Sequence, residues 1–154
     1  MAMRPQILFV DDNPDICELV QMILEAAGFR VFTSNNSADV LGLVRTKHFD
    51  ALLLDYWMPE TTGIELCRQV RMISQSTPIL ICSGAVTKAD REAAALAGAQ
   101  GYVEKPFVSE ELILALRSLI KDSDAKDSDV NARCKSKTAE YTVTGTCLSA
   151  IHDE

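Results

Sequence analysis

Four short apolar runs of this chain each close on a charged or hydroxyl residue, and stretches of helical period separate them. ILFV leads into Asp11 and Asp12, ALLL into Asp55, PILIC into Ser83, and GYVE into Lys105. Continuous apolar runs of this length fit strands buried on both faces. Such strands arise when helices cover a parallel sheet through right-handed crossovers. Ligands of open parallel sheets bind outside the carboxyl ends of the strands, where the strand order reverses. Asp11, Asp12, Asp55, Ser83 and Lys105 are therefore expected to converge at one place, although nearly a hundred positions of sequence separate the first from the last.

The segments between the runs support the alternation. Asn13 suits an N-cap and Pro14 the first helical position, where a missing N–H costs nothing. Ile16, Leu19, Val20, Ile23, Leu24 and Ala27 then share a face, and Gly28 ends the helix. Residues 30–33 read as a short second strand, with a helix from near Ser37 to Thr46 after it. The third strand is expected at 50–54 and the third helix at 63–73, where Leu66, Val70 and Ile73 lie on one side. Pro78 opens the fourth strand at a tolerated position. Thr87 and Asp90 have capping-box spacing ahead of an Ala-rich helix that stops near Gly98. The fifth strand is 101–104, and Ser109 caps a last helix with Glu110 and Glu111 in its first turn. The expected fold is α/β, a doubly wound parallel sheet of five strands.

A length of 154 residues holds one domain with a full core rather than two. The sequence places the domain in residues 1–121. Residues 122–154 are polar, mixed in charge and without sustained period, and read as a disordered tail. The alternation around Tyr141 to Gly145 resembles a strand, but the sequence shows no neighbour for it. A net charge of −7 speaks against direct binding of nucleic acid, which needs a basic surface. No apolar stretch is long enough to insert across a membrane, and the amino terminus lacks the pattern of a secretory signal. The five cysteines form no CxxC pair. Cys17, Cys67 and Cys82 fall on core-facing positions, which suits reduced thiols in a cytoplasmic protein.

Adjacent carboxylates close to a third are costly unless a cation compensates them. Mg²⁺ takes carboxylate oxygens together with water and phosphate. Asp12 also suits a DDNP turn that simply opens the first helix. A carboxylate such as Asp55 can attack phosphorus to give an acyl phosphate. A bound Mg²⁺ neutralises charge on such a group, and Lys105 can pair with it as a point charge. Taken singly, Ser83 is an ordinary turn residue before Gly84 and Lys105 an ordinary solvated charge. Their occurrence together at strand ends gives them weight.

The segments FVDDNP (9–14), LLLDYWMPETTG (52–63), ICSGA (81–85) and GYVEKPF (101–107) together resemble the receiver domain of two-component response regulators. The likeness is to the stand-alone, chemotaxis-type (CheY-like) receivers and covers residues 6 to about 121. It implies a flavodoxin-like strand order, 2-1-3-4-5, and a phosphorelay role with Asp55 as phosphoacceptor. Mg²⁺ would be held by Asp12 directly, by Asp11 largely through water, by Asp55, and by the backbone carbonyl of Trp57. Ser83 would be the switch hydroxyl, in place of the commoner Thr, and Lys105 the amine that pairs with the phosphoryl group. Tyr102 occupies the position of the switch aromatic, and Lys105–Pro106 that of a cis peptide. The resemblance implies a sensor histidine kinase or a histidine phosphotransfer protein as donor. It also implies a downstream protein that reads the face made by the fourth helix, fifth strand and fifth helix.

Three other classes fit less well. An aspartate-nucleophile phosphatase carries an acid two residues past the nucleophile, where this chain has Trp57, so a switch rather than an enzyme is expected. A binding module that has lost phosphorylation would not need all five site residues. A flavodoxin-type FMN protein needs a phosphate cradle where this chain has the acidic DDNPD. The tail is too short and polar for a DNA-binding or catalytic output domain.

Overall fold

The computed structural model describes residues 3–84, 87–105, 109–127 and 141–143. The elements in chain order are β1 (Gln6–Val10), α1 (Pro14–Ala26), β2 (Arg30–Ser34), α2 (Ser37–Thr46), β3 (Ala51–Asp55) and α3 (Gly63–Ile73). They continue with β4 (Ile79–Ser83), α4 (Lys88–Ala97), β5 (Gly101–Glu104), α5 (Ser109–Asp127) and β6 (Tyr141–Val143). The first five strands lie parallel in the expected order 2-1-3-4-5.

Each strand divides its side chains between two cores, as the two-residue period requires. Ile7, Phe9, Leu53, Leu80, Cys82 and Val103 face α1 and α5, where Val20, Leu24, Leu112 and Leu116 meet them. Leu8, Val10, Leu52, Leu54, Ile79 and Ile81 face the other way, onto Val40 of α2, Leu66 and Val70 of α3, and Ala94 and Ala97 of α4. The three expected core cysteines are buried and unpaired. Burial pushes the Cys67 thiol up to about 11 and raises that of Cys82 further, so both stay protonated and inert.

Helix ends follow the local chemistry. The Asn13 side chain accepts a hydrogen bond from the Asp15 N–H at 2.9 Å. Thr87 and Asp90 form a reciprocal capping box. Ser109 is the first residue of α5 rather than its cap, a shift of one position.

Two features extend beyond the sequence reading. α5 continues to Asp127, past residue 121. The segment Tyr141–Val143, which had no evident neighbour in sequence, pairs in parallel with β5 and makes a sixth strand. The outer edge of β5 offers backbone groups that β4 cannot satisfy, and an extended segment meets them. The tail at 128–140 and 144–154 lies outside the described residues, as do Ala85, the Pro106 peptide, Cys134 and Cys147.

Arg71, on α3, holds together the loop between α3 and β4 and the loop between α4 and β5. Its guanidinium donates to the carbonyls of Gly98 at 2.8 and 3.0 Å, Ser74 at 3.1 Å and Thr77 at 2.7 Å, and to Gln100 Oε1 at 3.0 Å. Gln100 Oε1 also accepts the Ile79 N–H at the start of β4, 2.7 Å away. Gly98 turns at φ +101, and an added Cβ there would strike the Arg71 stem. Arg71→Ala leaves several carbonyls without a donor. It should cost about 2–4 kcal/mol, seen as a fall of about 10 °C in Tm. Arg71→Lys should recover only part of this, because one ammonium lacks the planar fork. A change in Tm of a degree or two for Arg71→Ala would show that the loops hold without it.

Candidate functional site

The register of the sheet sets its strand ends level with one another. Asp55 pairs with Cys82, and Ser83 with Glu104, so the third, fourth and fifth strands finish together. Asp11 and Asp12 follow the last residue of β1, Asp55 and Ser83 are the last residues of β3 and β4, and Lys105 follows β5. All five sequence-predicted side chains thus arise at the carboxyl end of the sheet. Asp11, Asp55 and Ser83 are buried, and Asp12 is exposed.

Lys105 joins the first and third strands. Its Nζ lies 2.7 Å from Asp11 Oδ2 and 3.0 Å from Asp55 Oδ1. Its backbone N–H donates to the Ser83 carbonyl at 2.8 Å, which fixes the start of the loop after β5. Asp11 Oδ1 accepts the Asn13 N–H at 2.9 Å, which orients the carboxylate. Burial raises the Asp55 pKa above the ordinary carboxylate value, and the Lys105 ammonium only partly opposes it. Burial works against the charge of Lys105, yet its hydrogen bonds to Asp11 and Asp55 outweigh this and raise its pKa.

One oxygen from each of Asp11, Asp12 and Asp55 falls within a mutual 4.8 Å. Three carboxylates against one ammonium leave uncompensated negative charge at a partly buried place. The all-oxygen donor set suits a hard divalent cation, so the residues present fit Mg²⁺.

The flanking aromatics sit differently from each other. Trp57 is 65% exposed, its ring edge-on to Tyr56 with centroids 4.7 Å apart, and its backbone bridges to Thr62. Tyr102 is only 6% exposed. It packs in the core shared with α3 and α4, and its buried hydroxyl has no partner within hydrogen-bonding geometry among the described residues. Burial raises the pKa of that hydroxyl, with the nearby Ser83 hydroxyl opposing.

Two contributors escaped the sequence reading. Gly63 starts α3 against the backbone of the site: its N–H donates to the Tyr56 carbonyl at 2.9 Å, and an added Cβ would overlap the Asp55 carbonyl oxygen. A glycine at a helix start, eight positions after an acid that ends a strand, is the only trace this leaves in sequence. Tyr56 Oη donates to Asp90 Oδ1 at 3.3 Å, which ties the loop after Asp55 to the first turn of α4.

These acids, the amine and the hydroxyl thus lie outside the carboxyl ends of a doubly wound sheet, where open sheets of this kind bind their ligands. Residues 7–117 match the response regulator receiver domain. The chain is 33% identical over 126 residues to the response regulator MprA of Mycobacterium bovis, covering 82% of this chain and 55% of that protein. It is 35% identical over 123 residues to MprA of Mycobacterium leprae, covering 80% and 54%. It thus spans about half the length of these relatives. Among solved structures, the Vibrio cholerae chemotaxis protein CheY4 superimposes with a TM-score of 0.73 at 31% identity, over 75% of this chain and 98% of that one. A CheY-like receiver domain from Methanospirillum hungatei gives 0.76 at 22% identity, over 80% and 98%, a likeness of fold. The chain belongs to the response regulator receiver domain family of two-component systems, whose members act as phosphoacceptor switches and are phosphorylated by histidine kinases. No helix among the described residues is long and apolar enough to cross a membrane.

The two glycines near the site should respond differently to a methyl group. Gly63→Ala forces the Asp55 backbone to move and should cost about 1–3 kcal/mol by chemical denaturation. Gly84→Ala, with no heavy atom within 4 Å of the added Cβ, should be close to neutral. Equal effects would show that the approach of α3 to β3 is not tight.

Proposed function

We propose that the chain is a phosphorylation-operated switch in which Asp55 accepts a phosphoryl group from a phosphohistidine donor. The observation that carries this reading is Lys105 held at hydrogen-bond distance from both Asp11 and Asp55, with Asp12 beside them. An oxygen of Asp55 attacks phosphorus, the bond from phosphorus to the donor imidazole breaks, and an acyl phosphate forms. Lys105 exchanges a carboxylate partner for a phosphoryl oxygen. Mg²⁺ held by Asp11, Asp12, Asp55 and the Trp57 carbonyl would supply positive charge to the phosphoryl oxygens.

Ser83, at the end of the adjacent strand, would donate its hydroxyl to a phosphoryl oxygen. Tyr102 lies on β5, paired through Ile81 with the strand that carries Ser83. Movement of Ser83 toward the phosphoryl group would change the surroundings of the Tyr102 hydroxyl, and so bias the face formed by α4, β5 and α5. A downstream protein reads that face. The donor is a sensor histidine kinase or a histidine phosphotransfer protein, and the chain turns over no substrate beyond slow loss of its own phosphoryl group. Reduced, buried Cys17, Cys67 and Cys82 support a cytoplasmic setting. We place the switch in residues 1–121, with residues 122–154 as its carboxyl-terminal tail.

Incubation with Mg²⁺ and a small-molecule phosphodonor, followed by intact mass, should add one phosphoryl group. Asp55→Asn should abolish the adduct, and Asp12→Ala should slow it greatly. An adduct on another residue, or one that forms equally well in a chelator, would overturn the assignment.

We propose that the exposed indole of Trp57, two residues past Asp55, screens one approach of water to the acyl phosphate. Trp57→Asn should therefore shorten the phosphoryl lifetime, followed by the decay of the adduct mass. An unchanged decay rate would remove Trp57 from the kinetics.

A further inference from the structure

β5 is the last strand of the five-stranded core, so its outer edge bears a row of backbone N–H and C=O groups that the core leaves unpaired. The chain fills this edge itself. Tyr141–Val143 runs parallel to β5 with Gly101 opposite Tyr141, Tyr102 opposite Thr142 and Val103 opposite Val143. We propose that the outer edge of β5 is a strand-docking site and that residues 141–143 are its resident occupant, a removable cap on the surface between α4 and α5. The proposal rests on the preceding reading at one point only, that this surface is where a partner senses the switch.

The register supports a role beyond edge protection. Thr142 lies opposite Tyr102, so the cap pairs with the residue whose surroundings the switch alters. Added strands bind through main-chain hydrogen bonds, so the competitor for this edge is another protein segment in extended conformation.

Chain length permits the arrangement. α5 has 19 residues and β5 has four, so the helix outruns the strand it returns along. Residues 128–140 reach at most about 3.5 Å each, enough to lead back beside β5.

Three paired residues make a weak cap. Their few net hydrogen bonds roughly offset the entropy of ordering the segment. Docking is worthwhile because the segment belongs to the same chain, which keeps it at a high effective concentration beside the edge. Such a cap stays in place when nothing competes and leaves at little cost when a partner strand arrives.

Amide hydrogen exchange on the full chain, without phosphodonor, tests this directly. Neighbouring residues of a strand direct their N–H groups to opposite edges, so the double variant Tyr141→Pro/Thr142→Pro removes a ladder donor whichever residue supplies it. The β5 amides that face outward should exchange about two- to tenfold faster in this variant. Amides of β4 should be unchanged. The control Tyr141→Val/Thr142→Val, which keeps both N–H groups, should protect β5 as the native chain does. Equal β5 exchange in the native and proline chains would overturn the proposal, as would free-chain exchange at 141–143 in the native protein. With no phosphodonor present, neither result bears on Asp55, and a failure of Asp55 to take up phosphate leaves the cap in place.

Discussion

The Lys105 ammonium, shared between Asp11 and Asp55, is the interaction around which the carboxyl end of the sheet is arranged. Its partners lie 94 and 50 positions away in sequence, so it forms only when β1, β3 and β5 are in register. Neighbouring strands are about 4.8 Å apart, and β4 stands between β5 and β3. Only a long unbranched side chain crosses that gap with a charge at its tip. Removing it would leave two buried carboxylates facing each other, at a cost of several kcal/mol. The tight approach of Gly63 and the backbone bond from Lys105 to Ser83 hold the loops so that the three groups stay within reach.

The same arrangement is deliberately incomplete as electrostatics. Like charges about 4 Å apart repel by roughly 1 kcal/mol in water and about 4 kcal/mol near a protein surface. One ammonium cannot cancel three carboxylates, and burial, the main cause of the raised Asp55 pKa, makes charge there costlier still. A site in this condition gains more from a divalent cation than a balanced one would. Because Lys105 already divides its hydrogen bonds between two acids, either bond can be traded for another oxygen without leaving the ammonium unpaired. The chemistry proposed for Asp55 therefore needs little rearrangement of the fold, and Ser83 and Tyr102 lie on the next two strands.

Much of this was legible in the sequence because strands and caps are local. Apolar runs ending in Asp11, Asp55 and Ser83, and caps at Asn13 and Thr87, are written in residues a few positions apart. Parallel order and convergence at the carboxyl ends then follow from connection rules. Interactions whose partners are backbone atoms of remote loops were not legible. Arg71 reads as a surface cation of an amphipathic helix, since nothing nearby marks the Gly98 and Thr77 carbonyls it holds. Gly63 reads as a turn residue because the Asp55 carbonyl it must clear belongs to a different element. Tyr102 could be identified, but whether it lies in or out depends on packing against α3 and α4, which no spacing encodes. β6 was missed for a related reason: a strand of three residues has meaning only beside an available edge.

The two edges of the sheet meet the same hazard by different means. At the far side, β2 pairs only with β1 among the described residues. There Arg30 and Lys47 place their charges 5.4 and 4.7 Å from the ring of Phe32, and cations on an edge discourage pairing with another chain. Such protection is permanent, because it is built from side chains of the domain itself. At β5 the protection is backbone pairing with a three-residue strand of the same chain, the cap proposed above to be removable. An edge that never had to open could have been closed with charge, as β2 is. Using backbone pairing at β5 instead keeps that edge receptive to another extended segment, and places the exchange beside Tyr102. The asymmetry ties the chemistry at the strand ends to the one side of the sheet where a partner can be admitted.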